Sequence, residues 1–151
     1  MIKLLEAVPK DAAVLAEISK RAFDSDVDCG GSGPGGPPGY DKPEWQIEMM
    51  YHPKATYHKI LLDDQIIGGS VVFEMDQKYE YFLGRIFIDT DYHGQGIGEE
   101  AMKMVESLFP SAKRWLLDTP AWNDRTRHFY QKVGYTLIKE TQFLLFEKKV
   151  G

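Results

Sequence analysis

The sequence predicts a mixed α/β fold: a mostly antiparallel twisted sheet with one central parallel strand pair, flanked by about four helices. Three observations predict it. Strand-like runs at 56–62, 66–75 and 79–89 follow one another across the short turns Asp63-Asp64-Gln65 and Asp76-Gln77-Lys78, the pattern of an antiparallel meander. A strand at 86–89 then enters a glycine-rich turn, an amphipathic helix and a further strand at 115–118, a crossover long enough to join two parallel strands. Finally, 135–138 and 143–146 close the chain as a hairpin.

The remaining elements follow in order. Residues 2–8 read as the first strand. Val14, Leu15, Ile18, Ala22 and Phe23 recur at helical spacing behind Pro9-Lys10-Asp11, with Asp11 as the candidate N-cap. Residues 24–42 carry the run Gly30-Gly31-Ser32-Gly33-Pro34-Gly35-Gly36-Pro37-Pro38-Gly39. Only about 25 residues precede this run, too few for a domain, so it reads as a long mobile loop inside a single domain spanning 1–151. A short helix at 43–51 offers Trp45, Ile47 and Met50 for burial. Gly68 and Gly69 inside the second meander strand suggest a bulge or a close backbone approach. In the helix at 96–109, Ile97, Ala101, Met104, Val105 and Leu108 form the apolar stripe. A last helix at 124–133 ends at Gly134.

Composition narrows the function. The 151 residues are 43% hydrophobic and 27% charged with net charge −5, so the basic footprint of a nucleic-acid-binding protein is absent. Cys29 is the only cysteine, which excludes a disulfide within the chain and a cysteine-based metal site; the scattered histidines have no metal-ligand spacing. Met1-Ile2-Lys3-Leu4-Leu5-Glu6 is charged too early for a signal peptide, and no apolar run approaches membrane-spanning length. The expectation is a cytoplasmic protein without metal, membrane or nucleic-acid partner.

The chemistry concentrates in Tyr92-His93-Gly94-Gln95-Gly96-Ile97-Gly98. Glycines at a strand-to-helix turn let backbone N–H groups approach a ligand. The helix adds unpaired donors and the positive end of its dipole, a combination that binds phosphate or diphosphate. No G-x-x-x-x-G-K-[ST] loop is present. Gly96-Ile97-Gly98-Glu99-Glu100-Ala101 also fits the dinucleotide pattern G-x-G-x-x-A, with Asp118 as its ribose-binding acid. An antiparallel meander before it, and too little chain after it for a doubly wound sheet, count against an NAD-binding domain.

His93 to Gly98 resembles the acetyl-CoA signature Q/R-x-x-G-x-G/A of the GNAT N-acetyltransferases, at the family's usual place after the fourth strand. The segment from Asn123 to Tyr135 is similar to the family's N-x-x-A-x-x-x-Y-x-x-x-G-F, with Thr126 in place of Ala. The first signature position is His93 rather than Gln or Arg, a shorter donor whose charge depends on pH. The resemblance implies one acetyltransferase domain whose parallel strands splay to hold acetyl-CoA. It implies a pantetheine arm paired with the backbone of Phe87, Ile88 and Asp89, and a diphosphate on His93, Gly94, Gln95, Gly96, Ile97, Gly98 and Glu99. Glu99 and Glu100 are expected to point outward. Asn123 would bond the arm as well as cap the last helix, and Tyr130 would sit by the sulfur as general acid.

For the base, Glu80, Glu74 and Asp118 are candidates, with a water chain as the alternative. A backbone N–H on a bulged fourth strand would stabilise the oxyanion. The acceptor pocket is implied between the first two helices, at Tyr40, Asp41 and Trp45, with Asp24, Asp26 and Asp28 available to a cationic amine. The expected activity is acetyl transfer to a primary amine by direct attack in a ternary complex. A non-catalytic CoA-binding or sensor module on the same fold is the alternative. The strand at 143–146 could pair across a homodimer.

Overall fold

The computed structural model describes residues 1–26, 30–31 and 33–151. The expectations placed on Asp28 and Cys29 lie outside the described residues. Among the described residues one seven-stranded sheet runs in the order β1-β2-β3-β4-β5-β7-β6. Its strands are β1 (Ile2–Glu6), β2 (Ala55–Leu62), β3 (Gln65–Glu74), β4 (Glu80–Ile88), β5 (Arg114–Pro120), β6 (Thr136–Glu140) and β7 (Phe143–Lys149). Every neighbouring pair is antiparallel except β4 and β5. A doubly wound parallel sheet is therefore absent among these residues, and the dinucleotide reading of Gly96–Ala101 loses its structural context.

The helices α1 (Ala12–Asp24) and α2 (Pro43–Tyr51) cover one face, and α3 (Ile97–Ser107) and α4 (Asp124–Lys132) the other. On the first face Leu15, Ile18 and Ala22 of α1 and Met49 of α2 meet Tyr57, Val71 and Phe87 of the sheet. On the second face Met102 and Val105 of α3, with Phe129 and Tyr130 of α4, pack on Trp115, Leu117, Leu144 and Phe146. Each fully buried Leu, Ile or Phe contributes about 1.5–3 kcal/mol, so the apolar stripes largely decide which helix face meets the sheet. Val14 and Leu108 nevertheless turn out exposed, and Met102 takes a buried place on α3. On α2 the buried residues are Gln46 and Met49 rather than Trp45, Ile47 and Met50. No described helix is long and apolar enough to cross a membrane.

Two local readings need correction. The Asp11 carboxylate does not cap α1; it accepts the Val8 N–H at 3.0 Å and pairs with Lys59 at 2.8 Å, closing the 3-10 turn that precedes the helix. Strand β7 does not lie at an edge. It is hydrogen-bonded to β5 on one side and β6 on the other, so it has no free ladder for a second copy.

The sheet opens where function was expected. Strands β4 and β5 pair only at Glu80–Arg114, Tyr81–Trp115 and Phe82–Leu116, although both continue well beyond. Just past the last pair, a bulge at Gly84 shifts the β3–β4 register between Val71 and Val72. Gly68 of β3 is the close backbone approach: a Cβ there would overlap the carbonyl oxygen of Phe87.

Candidate active site

A cavity of about 430 Å³ lies along the parted end of β4, between it and α4. Its floor is Ile86, Phe87 and Ile88 of β4. The end of α1 and Asp26 form one wall, Arg125, Thr126, Phe129 and Tyr130 of α4 the other, and the turn before α3 closes the far end.

The backbone of Phe87 and Asp89 is already engaged within the sheet. The Asp89 N–H donates to the Ile67 carbonyl at 2.7 Å, and Gly69 faces Phe87 in the antiparallel register. Hydrogen-bonded pairs alternate in such a ladder, so the peptide groups of Phe87 and Asp89 face β3, while those of Ile86 and Ile88 face the gap. The exposed ladder is thus Ile86 and Ile88, not Phe87, Ile88 and Asp89. The Asp89 side chain is engaged too: Arg21 of α1 donates to both its oxygens, at 3.2 and 2.8 Å. Those hydrogen bonds hold its carboxyl below the usual carboxylate range.

The turn before α3 has the shape of an anion cradle. Gly94 and Gly96 adopt φ of +75° and +77°, in the left-handed region, and a Cβ on either would meet nothing within 4 Å. The first intrahelical bond of α3 runs from the Glu100 N–H to the Gly96 carbonyl at 3.1 Å, so the amides of Ile97, Gly98 and Glu99 precede it and point out of the helix end. The Gln95 side chain folds back and donates to the Asp91 carbonyl at 3.2 Å.

His93 takes a different part from the one its place in the signature suggested. Its Nε2–H donates to the Ile88 carbonyl at 2.7 Å, so the ring braces the end of β4. Glu99 does not point outward. It lines the cavity, and its charge is met by Lys132 at 3.3 Å and Lys103 at 3.8 Å. Glu100 is exposed as expected.

Asn123 caps α4: its Oδ1 accepts the Thr126 N–H at 3.2 Å. Its Nδ2 is buried, with no partner at hydrogen-bond distance among the described residues, and it faces the Asp26 carboxylate, whose pKa it helps hold down against burial. Thr126 anchors α4 to the sheet. Its hydroxyl lies 2.7 Å from that of Thr119 and donates to the Asn123 carbonyl at 3.1 Å, fixing α4 to β5.

Tyr130 lines the cavity, its ring packed against Phe146 and Tyr135 at 6.0 and 6.1 Å, and its hydroxyl bonds no described residue. Burial pushes the phenol's pKa up, with Asp26 and Asp118 adding to the rise. The proton therefore stays on the oxygen through the neutral range.

The structure does not bring the expected base candidates to the cavity. Glu80 starts β4, about 20 Å of strand away from Ile86, and lies 3.7 Å from Arg114. Glu74 ends β3 on the exposed surface. Asp118 has its pKa raised by burial but does not line the cavity. Asp26 does line it. It lies 2.6 Å from Arg125, and burial raises its carboxyl against the pull of that cation. Arg125 is 99 positions away in sequence, so no local pattern announces the pair.

In the acceptor region, the Tyr40 hydroxyl donates to Asp24 at 2.7 Å, and this carboxylate pushes the phenol up to about 12. Lys20 pairs with the same Asp24 at 2.6 Å. The Trp45 ring carries the Arg85 guanidinium on its face, 3.7 Å from the ring centre. Sequence reading passed over Arg85, because a lone arginine inside an apolar strand carries no motif.

A mixed sheet parted at its one parallel pair, with a glycine cradle at the helix beyond it, has the layout of the GNAT fold. The chain belongs to the acetyltransferase (GNAT) family, whose model matches residues 19–135. It is 33% identical over 93 residues, 61% of this chain, to the uncharacterized protein YrkN of Bacillus subtilis (strain 168), and the match spans 50% of that protein's length. Among solved structures it is similar to the PaiA N-acetyltransferase from Thermoplasma acidophilum in complex with coenzyme A. That match has TM-score 0.83 and 14% identity, and covers 99% of both chains. An acetyltransferase from Thermus thermophilus gives TM-score 0.82 and 16% identity over 99% and 97% of the two chains. The ribosomal-protein-S18-alanine N-acetyltransferase from Escherichia coli gives 0.74 and 13% over 99% and 94%.

Proposed function

We propose that this protein is an N-acetyltransferase that moves an acetyl group from acetyl-CoA to a primary amine by direct attack in a ternary complex. One observation carries the reading: β4 and β5 part beyond Phe82 and Leu116, leaving the peptide groups of Ile86 and the N–H of Ile88, whose carbonyl His93 takes, facing a cavity that runs from the α3 cradle to Tyr130. The residues present fit the cofactor. The amides at the start of α3 would hold the diphosphate, Ile86 and Ile88 the pantetheine amides as an added strand, and the Asn123 Nδ2 a carbonyl of the arm. Acetyl-CoA, when bound, supplies the acetyl group as an activated thioester.

The chain's own residues do the rest. Tyr130 holds its proton at the phenol oxygen and offers it to the leaving sulfur. Asp26 attracts the incoming ammonium group, while Arg125 keeps that carboxylate oriented. The ammonium gives a proton to solvent water before its free amine attacks the thioester carbon. The nitrogen gives up a second one to water as the amide forms and Tyr130 protonates the departing sulfur. The Ile86 N–H is available to the charge that develops on the thioester oxygen. No thiol lines the cavity among the described residues, and the Thr126 hydroxyl is engaged by Thr119, so direct attack needs no acetylated residue.

The test follows free CoA with a thiol reagent over a panel of amines. Amine-dependent thiol release supports transfer. Binding of acetyl-CoA without release to any amine assigns a CoA-binding module instead. A thermal-shift comparison of acetyl-CoA with NAD checks the ligand class, because a ligand stabilises the native state according to its affinity.

A further inference from the structure

Among the described residues Arg85 is a cation without an anion. Its guanidinium stacks on Trp45, and one terminal nitrogen donates to the Pro38 carbonyl of the glycine-proline loop. The other, Nη1, is buried and has no partner, and no carboxylate lies within ion-pair distance among the described residues. Burial works against the charge and pulls the pKa down to about 10, yet the group remains a cation at neutral pH. A half-buried guanidinium with an orphaned donor is costly unless something else completes it.

Its position says what could. Tyr57, Val71 and Arg85 form one cross-strand row on the face covered by α1 and α2. Arg85 follows the Gly84 bulge, and its neighbour Ile86 lines the cavity from the other face of β4. On the functional reading above, which this inference rests on, the cofactor arm runs along β4 from the α3 cradle back toward the bulge. The reacting end then lies at Ile86, next in the chain to Arg85, which does not itself line the cavity, and an acceptor that reaches the guanidinium comes from the α1–α2 face. Trp45 occupies one face of the guanidinium, so its remaining donors lie in its plane, where a planar carboxylate can accept two of them.

We propose that Arg85 binds the carboxylate of the acceptor, and that the acceptor is an amine bearing that group, of the amino-acid class. Such a molecule presents its ammonium to Asp26 and its carboxylate to Arg85. A polyamine offers nothing to Arg85 and brings added positive charge against it.

The experiment measures CoA release with the free L-amino acids, each beside its carboxamide, using wild type, Arg85→Met and Arg85→Lys. At least one free acid should exceed its amide by about tenfold or more in kcat/KM, the worth of a hydrogen bond between charged groups. That ratio should fall toward one in Arg85→Met and recover partly in Arg85→Lys, which restores the charge without the fork. A panel in which amides match or exceed the acids overturns the proposal, as does silence toward every free acid in a protein that acetylates other amines. An acid-to-amide ratio that survives in Arg85→Met, whatever happens to its melting temperature, reduces Arg85 to an anchor for the loop. Failure of the wild type to bind acetyl-CoA by calorimetry would instead overturn the underlying functional reading.

Discussion

Replacing Gly96 with Ala separates backbone strain from ligand binding. Gly96 has φ of +77°, where an L-residue carries about 1–2 kcal/mol of strain. The added methyl also restricts the unfolded chain, which offsets about 0.4–1 kcal/mol. It meets no atom within 4 Å, so no clash adds to the balance. The net cost is about 1 kcal/mol, a fall in Tm of about 2–4 °C for a chain of this size. The same methyl projects into the open space above the α3 amides, where the account puts diphosphate. Losing even one charge-assisted hydrogen bond there removes about 1.5–3 kcal/mol of affinity, tenfold or more in Kd. Gly96→Asn sharpens the comparison, because Asn tolerates the left-handed conformation better than Ala. Melting curves and acetyl-CoA calorimetry on both variants should show stability largely restored in the Asn variant and affinity lost in both. Near-native affinity in a folded Ala variant would refute the placement of the diphosphate.

Tyr130→Phe should lower kcat by about 10²–10⁴-fold while leaving the calorimetric Kd for acetyl-CoA near wild type, since the phenol acts on a proton rather than on binding. Asn123→Ser keeps a cap oxygen for the Thr126 N–H but deletes the buried amide donor; Tm should move little, and acetyl-CoA should bind about fivefold more weakly or worse. Arg21→Met should destabilise the protein at pH 7 by about 1 kcal/mol, a figure discounted because Arg21 is half exposed. Because Arg21 holds the Asp89 carboxyl below its unfolded value, that stabilisation is present above the ordinary carboxylate range and is lost as pH falls through the lowered folded value. Denaturant titrations of the two proteins should therefore converge under acid conditions; a constant difference would assign the loss to packing.

The fold was legible because its signals are local and periodic. The alternating runs at 56–62 and 66–75, the stripe on α3 and the glycine after α4 each act within a few residues, and the observed elements agree to within a few positions. The cradle was legible for the same reason, since a glycine turn opening a helix is contiguous. Pairings between distant segments were not. Asp26 meets Arg125, and Arg21 meets Asp89, only after α1 has packed beside the parted strands. The inward turn of His93 depends on where the Ile88 carbonyl ends up, and the engagement of Phe87 and Asp89 depends on which ladder positions β3 occupies. Glu80 looked well placed as a strand-end acid, but the strand runs away from the cavity at that end. The pairing across a homodimer expected of the strand at 143–146 finds no free ladder, because β6 folds back outside β7.

The most direct measurement is isothermal titration of the wild-type protein with acetyl-CoA, alongside a circular-dichroism check of folding. The account predicts saturable binding of one acetyl-CoA per chain, weakened in Gly96→Ala. A folded wild-type protein that gives no binding heat up to millimolar ligand would contradict it.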